Sequence, residues 1–166
     1  MKNILGSFFL VISSVTLNAQ YYYKDIIGTR DFNQTIRLYS SNKVLSAEAT
    51  GFDGDGIKNS DFSETYNFFP DRSLLKIATR NKAVITNEYY RFDSKGLLIN
   101  KSDTSSSLAS TGTYTYLVST TTYTYNDKDN PVLIKNTVSD ASDSIYATEV
   151  HQWFYNDQGK PVRMLK

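Results

Sequence analysis

The 166-residue chain contains no cysteine. Disulfides, thiolate metal sites and lipid attachment through a cysteine are therefore excluded. It has one histidine, His151, too few for a metal site built on imidazoles. An excess of either charge is also missing: 18 Lys and Arg face 17 Asp and Glu, with no basic cluster. That balance argues against nucleic acid and anionic membrane surfaces, which are gripped by concentrated Lys and Arg. Beyond Leu17 no second apolar run is long enough to span a membrane. No stretch after residue 19 keeps a 3.6-residue period for three turns, so the remainder is expected to be built almost entirely of strands.

The N-terminus reads as an export signal. Lys2 precedes an apolar run from Ile4 to Leu17, followed by Asn18-Ala19-Gln20. A basic residue, a short apolar stretch and a small residue at the boundary form a cleavable secretory leader. Residues 1–19 are therefore expected to be removed after Ala19, leaving 20–166 as one domain, periplasmic or extracellular. Export without disulfides places the whole burden of stability on packing.

What the chain has in quantity is aromatic side chains: 13 Tyr, 9 Phe and one Trp. Tyr114, Tyr116 and Val118 alternate with other residues, as do Tyr123 and Tyr125, which marks half-buried strands. A short string recurs along the chain. It reads Phe52-Asp-Gly-Asp-Gly56-Ile57, Phe92-Asp-Ser-Lys-Gly96-Leu97, Tyr125-Asn-Asp-Lys-Asp129-Asn-Pro131 and Tyr155-Asn-Asp-Gln-Gly159-Lys-Pro161. A weaker copy runs from Phe69 to Leu75, with Ser73 in the Gly position, and a faint one from Tyr39 to Leu45. Asn or Asp opening a turn can bond the backbone two residues on. The Gly supplies positive φ, and Asp is tolerated there. Pro131 and Pro161 begin the outgoing strand, where a missing N–H costs no ladder bond. Each copy is thus expected to be a β-hairpin, with Tyr90/Phe92, Tyr123/Tyr125 and Trp153/Tyr155 each on one face of the sheet. The polar stretch from Ser102 to Gly112 reads as a loop inserted before the Tyr/Thr strand.

The strings YRFDSKGLL, YTYNDKDNPVLI and WFYNDQGKPVRM resemble the YD repeats of RHS-type and teneurin-like proteins. That resemblance covers about half of the chain after the leader and is clearest from Tyr89 onward. It implies successive antiparallel hairpins in a curling sheet. The expected fold is all-β, an antiparallel meander of hairpins, either a curled open sheet or barrel-like.

Candidate sites are few. Asp53-Gly-Asp55-Gly56-Ile57-Lys-Asn59-Ser-Asp61 resembles the calcium loops of thrombospondin type 3-like repeats, and carboxylates at alternate positions before a Gly can wrap one ion. Asp53, Asp55, Asn59 and Asp61 are the calcium candidates, although Asp53 and Asp55 also fall on ordinary turn positions. His151 shares a strand face with Trp153 and Tyr155 and has no nucleophile-elbow serine to serve. Asp53, Asp61, Glu64, Glu88 and Glu149 could in principle supply a hydrolytic carboxylate pair, but no spacing selects one. No catalysis is expected. Tyr90, Phe92, Tyr114, Tyr116, Tyr123, Tyr125, Trp153 and Tyr155 form the candidate binding platform for a glycan, peptide or protein partner. The competing and favoured reading of each ring is the core of the curled sheet, where cross-strand aromatic pairs stabilise it. The alternatives are a calcium-stabilised β module and, behind it, a carboxylate-dependent hydrolase.

Overall fold

The computed structural model describes residues 25–166 except 83, 109–113 and 141–143, and the expected leader lies outside the described residues. The described residues form nine strands: β1 Ser46–Phe52, β2 Lys58–Phe68, β3 Leu74–Asn81, β4 Val84–Phe92, β5 Leu98–Leu108, β6 Tyr114–Tyr125, β7 Pro131–Asp140, β8 Ile145–Tyr155 and β9 Pro161–Leu165. Each pairs antiparallel with its neighbours in sequence, and β1 and β9 form the two edges of one curled, open sheet. The expected all-β hairpin meander is the observed architecture, in its open form.

The turns follow from their residue types. Gly56, Gly96, Asp129 and Gly159 all adopt φ between 58° and 80°. In three of these turns the opening side chain also caps the loop: Asp93 Oδ1 accepts from Lys95 N and Leu97 N, Asn126 Oδ1 from Lys128 N and Asn130 N, and Asn156 Oδ1 from Lys160 N. The copy at Phe69 departs from the expected alignment. Arg72, not Ser73, takes the positive φ, and Phe69 N reaches Leu74 O across a loop one residue longer.

Behind three turns the outgoing strand carries one extra residue. Arg91 pairs with Asn100 but Phe92 with Leu98, Thr124 with Leu133 but Tyr125 with Pro131, and Phe154 with Arg163 but Tyr155 with Pro161. Ile99, Val132 and Val162 are the bulged residues. Bulges raise local twist, and repeating one at each restart helps curl the sheet. The stretch read as a polar loop is instead mostly strand: Ser102 to Leu108 continues β5 and pairs residue by residue with β6. Thr favours strands, and the continuous ladder to β6 outweighs the weaker preference of Ser.

The largest departure from expectation is a helix, α1, over 25–41, about 25 Å long. Ile26, Thr29, Asn33 and Ile36 are its buried positions, the 3-4-3 spacing of one helical face. The faint repeat at Tyr39–Leu45 is the end of this helix. Val44 N bonds Tyr39 O, Lys43 N bonds Ser40 O, and Lys43 sits at φ 56°, a Schellman cap with Lys in place of Gly.

The helix lies across one face of the sheet. Its N-terminal end meets β7 and β8 through Ile26, Ile134 and Trp153. Its C-terminal end meets β2 through Tyr39, whose ring stands edge-on to Tyr66 and Phe68. Between them Ile36 and Phe32 cover Leu75, Ile77, Tyr90, Phe92 and Leu98. Phe32 packs on Tyr90 at 4.8 Å between ring centres. Burying each large apolar side chain here contributes about 1.5–3 kcal/mol, and aromatic pairs add about 0.5–1.5.

Candidate functional site

The helix does not fill the face it covers. On β3 and β4 the covered row is apolar, Leu75 opposite Tyr90. Continuing across the sheet, the same row becomes Lys101, Thr121, Asn136 and Glu149, each opposite the next. The adjoining row is Tyr123, Ile134 and His151. The first turns of α1, with Asp25, Gly28, Thr29 and Phe32, stand beside these rows. Two adjoining hollows of about 320 and 420 Å³ result, sharing Asp25, Thr29, Lys101 and Tyr123. They form one polar cleft with an aromatic wall.

Most charges in the cleft are matched. Lys101 Nζ meets Glu88 Oε1 at 2.5 Å and lies 5.5 Å above the Tyr90 ring. The Tyr90 hydroxyl donates to Glu88 Oε2 at 2.8 Å; burial, with that bond, drives its phenol far above the ordinary range. Burial pushes Tyr123 up to about 12. Asp103, one register step along β5, is raised by burial and by Glu88, against the pull of Lys101. His151 is held at both ring nitrogens, Nδ1 2.8 Å from Asp25 Oδ2 and Nε2 2.6 Å from Glu149 Oε1. Lys166 Nζ also meets Glu149 at 2.9 Å and, with His151, holds that carboxyl below its usual range. The His151–Asp25 contact fastens the helix to β8.

The predicted binding platform is divided. Tyr90, Phe92 and Trp153 are buried, and Tyr123, Tyr125 and Tyr155 half-buried, on the face that α1 covers. Tyr90, Phe92 and Trp153 belong to the core under the helix, while Tyr123, Tyr125 and Tyr155 also line the hollows at its flanks. The unbroken register of β6 places positions 114, 116 and 118 on the opposite face from 123 and 125, so the eight positions do not share one surface. The side chains of Tyr114 and Tyr116 lie outside the described residues.

The calcium candidates are spread along one hairpin. Asp53 and Asp55 sit in the β1–β2 turn, closed by backbone bonds from Asp53 N to Ile57 O and from Gly56 N to Asp53 O. Asn59 and Asp61 lie on β2, and Asn59 Oδ1 accepts from Asp61 N. Among the described residues no group of three or more His, Asp or Glu is placed to share a metal ion. Of the hydrolase candidates, Glu64 bonds the Tyr66 hydroxyl, Glu88 binds Lys101, and Glu149 binds His151 and Lys166.

No family model and no curated protein matches the chain.

Asp25, Thr29, Lys101, Thr121 and Asn136 are the polar cleft residues that sequence reasoning missed. A signal existed in the parity of β6. Thr121 lies two residues from Tyr123 and so shares its face, although the alternation invites treating Thr as the outer partner.

Proposed function

We propose that the protein is an exported, non-catalytic binding protein of the bacterial envelope. It would be a small YD-like hairpin-repeat module that takes a glycan in the cleft between α1 and β5–β8. The observation that carries this reading is the cleft's composition. Thr29, Thr121, Asn136 and Lys101 offer hydroxyl, amide and ammonium groups beside the Tyr123 and Tyr90 rings. An aromatic wall with convergent hydrogen-bonding groups suits a sugar ring, which has an apolar face and a polar edge. The hollows lie at the small end of ligand sites, matching one or two rings rather than a long apolar chain.

The state of His151 supports a non-catalytic role. A general base keeps one ring nitrogen for the nucleophile it activates. Here carboxylates occupy both, and the histidine acts as a strut between α1 and β8. The leader pattern supports export.

Calorimetric titration of the purified protein with neutral and amino-sugar oligosaccharides tests the reading. Binding is expected to fall at least about tenfold in Thr121→Val and Asn136→Leu, which preserve shape and remove hydrogen bonds. Glycan binding unchanged by both variants, or found only for peptides, would defeat it. For export, mass analysis of protein from the periplasm or medium of an expressing host should find a chain beginning at Gln20.

A further inference from the structure

The other flank of the helix holds a second cleft, of about 390 Å³, against the turns of the last two hairpins. Its floor is made of Leu97, Pro131, Pro161 and the Tyr155 ring. The Tyr155 hydroxyl is already committed, donating to Pro131 O at 2.7 Å, so the ring offers the cleft its apolar surface. The rim has a different character from the glycan cleft. Among the described lining residues, Arg30, Arg37 and Lys128 face one carboxylate, Asp129.

Two of those cations are weakly neutralised. Lys128 Nζ donates to a neutral acceptor, Asp157 O, at 2.9 Å. Among the described residues Arg30 reaches only its neighbour Asp31, at 3.8 Å, with both side chains largely exposed. Asp129 records the positive surroundings: Lys95, then Arg37, hold its carboxyl below the ordinary range. A flat apolar floor under a cationic rim selects an anion carried on a ring.

We propose that this cleft is a second ligand site, for a small ring-borne carboxylate whose anionic group is met by Arg30 and Lys128 and whose ring lies on Pro131, Pro161 and Tyr155. An acidic sugar residue and an aromatic acid present the same chemistry, so the test carries both.

The full chain is titrated with glucuronate and benzoate, and with glucose and benzyl alcohol as their uncharged counterparts. At least one carboxylate should bind at least about tenfold more tightly than its counterpart, with affinity falling as salt rises. Arg30→Gln and Lys128→Gln, both at exposed positions, should each weaken that binding about tenfold while the circular dichroism is unchanged. Thr121→Val, in the glycan cleft, should leave it untouched, which separates failure here from failure of the proposed function. Glucuronate alone binding identifies an acidic sugar site, and benzoate alone an aromatic acid site. Carboxylate and counterpart binding equally, indifference to both Gln variants, or no carboxylate binding to the wild type would overturn the proposal.

Discussion

The Asn33 carboxamide oxygen accepts the Leu98 amide at 2.9 Å, joining the buried face of α1 to the first residue of β5. Leu98 occupies the register that Pro131 and Pro161 hold in the two later hairpins, beside the bulge where the ladder is interrupted. Proline lacks the N–H altogether; leucine has one, and the helix takes it. Asn33 Nδ2 also reaches the Tyr125 hydroxyl at 3.3 Å, so one buried side chain ties helix, β5 and β6 together.

Leu98→Pro should therefore destabilise the protein, although proline stands at the same register twice elsewhere. It removes a buried apolar side chain and leaves the Asn33 oxygen without its donor, a cost of about 1–3 kcal/mol for the polar group alone. Pairing it with Asn33→Leu should recover part of that polar cost, because neither partner is then left unsatisfied. Urea unfolding of the two single variants and the double gives the coupling. Strict additivity would remove the assigned role of this bond.

Successive hairpins are clasped by a repeated tyrosine contact. Tyr125 Oη donates to Leu98 O and Tyr155 Oη to Pro131 O, both at 2.7 Å, each reaching back to the restart of the preceding hairpin. Tyr155→Phe should cost about 1 kcal/mol, the ordinary value of one such bond. Tyr125→Phe should cost more, since it also takes a partner from Asn33. Equal losses in thermal or urea unfolding would mean that the Asn33 contact contributes nothing.

The hairpins were legible because their chemistry is local. Positive φ selects Gly or Asp at 56, 96, 129 and 159, and Asx oxygens mark the turn starts. The helix was not legible, because its buried stripe is half polar, through Thr29 and Asn33, while Ile27 and Leu38 point outward. Apolar periodicity is blurred when a buried position is filled for hydrogen bonding instead of hydrophobicity. The site shared that fate. Lys101, Thr121 and Asn136 converge only through cross-strand register, and the helix wall that makes them a cleft was absent from the expected fold.

Calcium provides a direct check on the loop that resembles a calcium repeat. A site would have to recruit Asp53, Asp55, Asn59 and Asp61, yet Asn59 Oδ1 is engaged by Asp61 N and the turn closes on its own backbone. Saturating calcium should leave Tm unchanged in the wild type and in Asp55→Asn. An ion at a hundredfold excess over its Kd would add about 2.7 kcal/mol, several degrees in a domain of this size. A shift of that size in the wild type, lost in Asp55→Asn, would establish a calcium loop.

The buried and half-buried phenols predict an alkaline limit to stability. Burial pushes Tyr66, Tyr123 and Tyr155 up to about 12, with Glu64 adding to the effect at Tyr66, and raises Tyr90 further. In the unfolded chain these groups ionise near 10. Between about pH 10 and 12 the folded state therefore holds more protons than the unfolded state, and stability falls as pH rises. At Tyr66, Tyr123 and Tyr155 this contribution is complete below about 10 and lost through about 12, at most about 1.4 kcal/mol per pH unit at Tyr123 and less at the more open Tyr66 and Tyr155. Phenolate absorbance should therefore lag behind that of free tyrosine, then rise in one cooperative step together with loss of near-ultraviolet circular dichroism. Tyr123→Phe, which deletes one such phenol, should move the step to higher pH. A gradual titration centred near 10, with the circular dichroism intact, would show that these rings are open to water and that the helix does not cover them.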